Sequence, residues 1–183
     1  MKLSSRTIAA AVGVVILGLI VLFAVAKPST QIGDPNKLIG KPAPAFAGPD
    51  LNGKQVSLEQ YRGSWLVVNF FATYCVPCRQ ENPELIRFAA RHRTESDAAI
   101  VAIAYEKSET ASVIRDFFVA NGGDWPVVLG QSDRVPLDYG VTGLPESFLV
   151  DPFGTVVYKF VGGVTADELD AVLNQARAAS GAS

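Results

Sequence analysis

The two cysteines of this 183-residue chain stand in one tetrapeptide, Cys75-Val76-Pro77-Cys78. The run before it, residues 65–71 (WLVVNFF), is apolar on both faces except at one asparagine, which is typical of a central strand in an α/β sheet. After it, apolar residues recur at helical spacing to about residue 93. The tetrapeptide is therefore predicted to open a helix, where thiols three residues apart share one face and can close a disulfide.

This position also predicts redox chemistry. The unpaired N–H groups of a helix N-terminus stabilise a thiolate, which is the attacking species in disulfide exchange. The alternative is a pair of zinc ligands, but zinc normally takes four, and the chain has no other cysteine and one histidine, His92. We therefore expect a redox dithiol and no metal, with His92 a solvated cation near a helix end.

The N-terminus predicts a membrane segment. Lys2 and Arg6 precede residues 8–26, a run of nineteen without a charge, long enough to cross a bilayer as a helix. Basic residues on the leading side predict a cytoplasmic N-terminus and an extracytoplasmic domain. A signal peptide cleaved after Ala26, which would release a secreted protein, is the alternative. The predicted organisation is an anchor or signal peptide at 1–26, a linker at 27–38 and a domain at 39–183.

The rest of the chain predicts an α/β domain held by a hydrophobic core, because two adjacent cysteines supply no disulfide scaffold. Residues 40–46 and 50–58 predict a short β-hairpin that turns at Asn52-Gly53. Further strands are predicted at 65–71, 98–104, 126–129, 146–150 and 155–161, and helices at 76–93, 108–121 and 165–178. Parallel strands linked by helices, followed by an antiparallel hairpin, predict a mixed central sheet with helices on both faces. The net charge of −2 gives no sign of nucleic-acid binding.

Residues 39–178 resemble the thioredoxin fold, and within it the TlpA/ResA/CcmG (DsbE) branch of membrane-anchored thiol–disulfide oxidoreductases. Two features resemble the CcmG group most: an extra central helix at about 108–121, and the sequence Gly143-Leu144-Pro145-Glu146-Ser147-Phe148. Three segments carry the resemblance: GKPAPAFAGPDLNGKQVSLEQYRGSWLVVNFFATYCVPCRQENPEL, IAYEKSETASVIRDFF and LDYGVTGLPESFLVDPFGTVVYKFVG.

The resemblance implies a role for each part of the site. Cys75 would be the more exposed thiol and attack a substrate disulfide, and Cys78 would be buried and resolve the mixed disulfide. The Leu144–Pro145 bond would be cis, with neighbouring backbone groups that hydrogen-bond extended substrate. Tyr74 stands where related proteins often have tryptophan and would form an aromatic part of the substrate groove. No cofactor beyond the dithiol is implied.

Two glutamates are further candidates. Glu81 lies three residues after Cys78, where ResA-type proteins have a partly buried acid that tunes the thiol and accepts a proton; a carboxylate there would disfavour a thiolate. The alternative is a solvated glutamate complementing the helix dipole. Glu146 resembles the acid beside the cis-proline of the CcmG group and would shape the substrate groove, or else be an exposed charge at a strand end. Asn69 stands where thioredoxins have a buried aspartate and cannot act as a base.

The resemblance predicts an extracytoplasmic reductase of apocytochrome c disulfides in cytochrome c maturation, re-reduced by a transmembrane electron donor of the DsbD/CcdA type. The first alternative is an exported dithiol oxidase of the same fold, because the sequence does not determine the redox potential. A copper metallochaperone is a minor alternative, since two thiolates suit copper(I). Such chaperones typically add a histidine or methionine ligand, and the only methionine here is Met1.

Overall fold

The computed structural model of the protein describes residues 13, 15–18, 37–94, 97–105, 110–131 and 134–181. The chain divides into two compact units, 1–34 and 35–183. In the first unit, Gly13 and residues 15–18 are helical; the remainder of the predicted span 8–26, and residues 27–36 of the predicted linker, lie outside the described residues. Within the described part, no helix has the length and apolar character needed to cross a membrane.

The second unit begins with a small two-stranded sheet and continues with alternating strands and helices. A 3₁₀ turn at Leu58–Tyr61 follows the small sheet. In chain order the elements are β1 (Ala47–Pro49), β2 (Gln55–Ser57), β3 (Trp65–Phe71), α1 (Val76–His92), β4 (Ala98–Ala104), α2 (Ala111–Asn121), β5 (Val127–Val128), α3 (Val135–Asp138), β6 (Glu146–Val150), β7 (Val156–Val161) and α4 (Ala166–Ser180).

The central sheet is mixed, as the sequence predicts. Its strand order is β5-β4-β3-β6-β7, with β3, β4 and β5 parallel and β6 antiparallel to both of its neighbours. Val67, in the middle of β3, is paired with Ile100 on one side and Leu149 on the other. All seven residues of β3 are buried, because both faces of the sheet are covered.

Alternate residues of β3 point to the two faces of the central sheet. Trp65, Val67 and Phe71 face the long helices, whose buried residues in this layer include Leu85, Phe88, Ile114, Leu169 and Leu173. Leu66, Val68 and Phe70 face the other layer, to which the hairpin, the 3₁₀ turn and α3 contribute Phe46, Val56, Leu58 and Val135. The carboxyl end of β3 leads directly into α1 and thereby fixes the position of the cysteines.

Three details differ from the sequence prediction. The first strand of the hairpin is Ala47–Pro49 rather than residues 40–46, and the Asp50 carboxylate closes the turn by accepting from the Asn52 and Lys54 amides at 2.8 and 2.9 Å. Helix α2 begins after Thr110, whose hydroxyl accepts from Val113 N at 3.4 Å. Helix α3 was not predicted, because four residues are too few to show a helical period.

The prediction that His92 is solvated is wrong. Its ring is only 13% exposed, with Nδ1 3.0 Å from Asp97 Oδ1 and Nε2 2.8 Å from Asp170 Oδ1. It also contacts the Phe88 ring, at 4.5 Å between centroids. The end of α1 packs against α4 and against the residue that leads into β4, so His92 joins three elements.

Candidate active site

The dithiol lies where the sequence places it, at the start of α1. Cys75 and Cys78 form a disulfide with a Cα–Cα distance of 5.3 Å. Cys75 is the N-cap residue: its Sγ accepts a hydrogen bond from Cys78 N at 3.3 Å, and its own amide donates to Ala72 O at 3.1 Å. Cys75 is half-buried and Cys78 is 3% exposed, which confirms the predicted difference in exposure.

Glu81 is buried one helical turn after Cys78, with 3% of its surface exposed, so the alternative of a solvated glutamate is wrong. Each of its oxygens has a donor. Asn69 Nδ2 donates to Oε1 at 2.6 Å, and Val164 N donates to Oε2 at 3.1 Å. Asn69 Nδ2 also donates to Ser147 Oγ at 2.9 Å, so Asn69 of β3 and Val164 of the loop before α4 hold Glu81, and Ser147 of β6 in turn binds Asn69.

This environment changes the proton affinity of Glu81. Removal from water disfavours the carboxylate and raises its pKa from 4.5 to about 7, although the hydrogen bonds from Val164 and Asn69 act in the opposite direction. The carboxyl group can therefore gain or lose a proton near neutral pH. Glu81 lies three residues after Cys78 on α1, so the two side chains are neighbours on one face of the helix.

The Leu144–Pro145 bond is cis, which confirms that prediction. Pro145 O accepts a hydrogen bond from Gly162 N at 3.0 Å. At the next residue, Gly163, an added Cβ would lie 3.7 Å from both Pro77 O and Glu81 Oε2. The Gly162-Gly163 pair therefore lies between the proline loop and the first turns of α1, and brings the proline to the dithiol side of the sheet.

The predicted groove residues differ in exposure. Tyr74, next to Cys75, is 58% exposed, and Leu144 is half-buried. Both therefore present surface near the dithiol and the proline loop. Val76, on the other side of Cys75, is 60% exposed and adds an apolar surface that the sequence prediction did not include.

Glu146 is not an exposed charge, and its side chain does not line an open groove. It is 1% exposed, and its Oε2 lies 2.8 Å from Lys159 Nζ. Its Oε1 accepts from Thr142 N at 3.3 Å and from Thr142 Oγ1 at 2.9 Å. Strand alternation is the reason: Glu146 and Phe148 project to the same face of β6, which is covered by the second core layer.

Lys159 was missed by the sequence prediction. The available signal was a single cation inside an otherwise apolar strand, VVYKFV, because such a residue is rarely buried without a partner. Among the described residues, no group of three or more histidine, cysteine, aspartate or glutamate side chains could hold a metal ion.

Comparison with known proteins agrees with this geometry. The model of the AhpC/TSA family matches residues 39–159. A thiol–disulfide oxidoreductase ResA from Bacillus thuringiensis (strain Al Hakam) is 32% identical over 137 residues, which cover 75% of this chain and 78% of the relative. The chain belongs to the AhpC/TSA family. Within it, the chain is a thiol–disulfide oxidoreductase of the TlpA/ResA/CcmG type.

Two further relatives support this membership. The thiol:disulfide interchange protein DsbE of Allochromatium vinosum is 33% identical over 135 residues, covering 72% of this chain and 71% of the relative. The crystal structure of the thioredoxin domain of a thiol–disulfide oxidoreductase from Bacteroides vulgatus superposes with a TM-score of 0.66 and 29% identity. That comparison covers 75% of this chain and 96% of the domain.

Proposed function

We propose that this protein is an extracytoplasmic reductase, anchored in the membrane by residues 8–26, that reduces apocytochrome c disulfides during cytochrome c maturation. Cys75 as a thiolate attacks one sulfur of the substrate disulfide, forming a mixed disulfide and releasing the other sulfur as a thiolate. Cys78 then attacks Cys75 Sγ, which releases the second substrate thiol and leaves the Cys75–Cys78 disulfide. A transmembrane donor of the DsbD/CcdA type returns the two electrons.

The buried carboxyl group of Glu81 carries this proposal. Cys78 must lose its proton before it attacks the mixed disulfide, and Glu81, one turn away with a pKa near 7, is the acceptor. After the transfer the proton remains inside the fold, on a carboxyl group held by Asn69 and Val164. Oxidised Cys75–Cys78 and a protonated Glu81 are therefore the products of one turnover.

The same carboxyl group favours the reducing direction. A dithiol is a strong oxidant when its thiolate is stabilised, because this stabilises the reduced form. The cap position of Cys75 acts in that sense, whereas ionised Glu81 disfavours a neighbouring thiolate. Water screens the buried carboxylate less than the partly exposed helix terminus, so we expect ionised Glu81 to have the larger effect and the potential to be low.

The equilibrium potential against glutathione tests the direction. A reductase is expected near the thioredoxin value of about −270 mV, whereas a value above about −180 mV would indicate the oxidase alternative. Glu81→Gln removes the opposing charge and is expected to raise the potential. An unchanged potential in this variant would mean that the charge of Glu81 does not determine the direction of electron flow.

The pathway and the location need a test in cells. Deletion of the gene is expected to remove c-type haem, with rescue by the wild type and not by Cys75→Ser. Protease added outside spheroplasts is expected to digest the domain while a cytoplasmic marker survives. Retained c-type haem in the deletion strain would contradict the cytochrome assignment and leave the dithiol chemistry intact.

A further inference from the structure

A buried ion pair lies beneath the proline loop, on the sheet face opposite α1. Lys159 of β7 and Glu146 of β6 approach to 2.8 Å between Nζ and Oε2, with side chains 3% and 1% exposed. In the strand register Glu146 is paired with Val161, so Lys159 is its diagonal neighbour across the two strands. The Lys159 ammonium also lies over the Phe148 ring, 5.2 Å from its centroid.

Both members of the pair bind the loop that leads to the cis-proline. Lys159 Nζ donates to Gly140 O at 3.1 Å. Glu146 Oε1 accepts from both the amide and the hydroxyl of Thr142. The loop from Gly140 to Pro145 is therefore held at its start by the lysine and in its middle by the glutamate, and it continues into β6 at its end.

Fold stability does not explain this arrangement well. Two ions in a dry core pay a large desolvation cost, and well-packed apolar residues in their place are often as stable or more stable. The ions instead make directional hydrogen bonds to the loop. The lysine binds the backbone oxygen of Gly140, and the glutamate binds the amide and the hydroxyl of Thr142. An apolar pair would pack at the same position without binding any of these groups.

We propose that Lys159 is a positioning residue for substrate: through its ion pair with Glu146 it fixes the backbone of residues 140–145 in the orientation that receives an extended polypeptide beside Cys75. The inference rests on the proposed role of the Leu144–Pro145 loop in substrate binding. A polypeptide disulfide needs this backbone, whereas a small disulfide needs only access to Cys75, the less buried of the two thiols. The ion pair therefore controls selectivity for polypeptide rather than the reactivity of the dithiol.

The test compares two substrates of the reduced full-length protein: a synthetic peptide with an oxidised Cys-x-x-Cys-His sequence and the small aromatic disulfide DTNB. The readout is the ratio of the two second-order rate constants. Glu146→Gln combined with Lys159→Met removes both charges, and the ratio is expected to fall roughly tenfold or more, because small displacements of positioning groups have effects of this size. Thr142→Val, which removes only the hydroxyl contact, is expected to lower it by less.

The exposed pair Arg134–Asp138, 3.1 Å between Nε and Oδ2, supplies a matched control. Arg134→Met with Asp138→Asn is expected to leave the ratio unchanged. A wild-type ratio in both the double variant and Thr142→Val would overturn the positioning role of Lys159. DTNB has the better leaving group, so the reference is the same ratio measured with dithiothreitol, a free dithiol without a binding site. If the ratio for the wild-type protein is no higher than the ratio for dithiothreitol, the substrate role of the proline loop is overturned, and with it this inference.

Discussion

Replacement of Glu81 by glutamine should make the stability of the oxidised protein less dependent on pH. In the folded protein the pKa of this carboxyl group is about 7, against 4.5 for the exposed group. Between these two values the folded state holds a proton that the unfolded state has released, so stability falls as pH rises and the loss is complete above pH 7. Since each pH unit in this interval carries about 1.4 kcal/mol, the loss amounts to about 3 kcal/mol.

Glutamine has nearly the same shape and does not titrate. Its amide nitrogen replaces one acceptor and faces either Asn69 Nδ2 or Val164 N, which costs about 1–3 kcal/mol at every pH. This constant penalty shifts the whole stability curve and leaves its slope unaffected. The informative quantity is therefore the difference in unfolding free energy between variant and wild type, followed as a function of pH.

Urea unfolding of both oxidised full-length proteins, from pH 4.5 to pH 8, measures this difference. Both are kept in one detergent because of the proposed membrane segment at residues 8–26. We expect the variant to gain about 3 kcal/mol relative to the wild type over the range, with most of the change complete by pH 7. All other titrating groups are common to the two proteins and cancel. A difference that stays constant within about 0.5 kcal/mol would refute the burial argument for Glu81, because it would mean that the carboxyl group titrates alike in both states.

Two further substitutions test the packing around α2. Asn82 Nδ2 donates to Asn121 O at 3.0 Å and to Gly122 O at 3.2 Å. Asn82→Ala should therefore lower the free energy of unfolding, measured in urea, by about 1–2 kcal/mol. An unchanged urea midpoint would show that water replaces these two hydrogen bonds. At Gly123, where φ is +109°, an added Cβ would lie 2.9 Å from two carbons of the Phe118 ring. Gly53 is the control, because its φ is +78° and no atom lies within 4 Å of an added Cβ. Gly123→Ala should therefore lower the free energy of unfolding by at least about 1 kcal/mol more than Gly53→Ala. Equal losses at the two glycines would contradict the contact argument.

Much of the fold can be predicted because its central elements have strong local signals. β3 and β4 are continuous apolar runs, and α4 opens with a capping box in which the Thr165 hydroxyl accepts from Glu168 N and the Glu168 carboxylate accepts from Thr165 N. The short edge elements carry less information. β1 has three residues and β5 has two, so their positions depend on pairing with segments distant in the chain.

The candidate site also has features that the local sequence predicts and features that depend on distant parts of the chain. The cysteine pair is visible in the sequence because its spacing and its place at a helix start are local properties. The burial of Glu81 depends on donors twelve residues before it and 83 residues after it, which no local pattern reports. The partner of Glu146 lies on the next strand, so the pair appears only once the register of β6 and β7 is known.

Pro145 and the first two residues of β6, Glu146 and Ser147, lie in three different surroundings. Pro145 faces the dithiol side through its bond to Gly162, Glu146 contacts Lys159 on one face, and Ser147 contacts Asn69 on the other. One residue inserted directly before Glu146 would exchange the faces, which would turn a second carboxylate towards Asn69 and Glu81 and leave Lys159 without its partner. Changes of chain length between orthologues should therefore collect in exposed turns such as residues 52–54, and this tripeptide should keep its length even where its side chains vary.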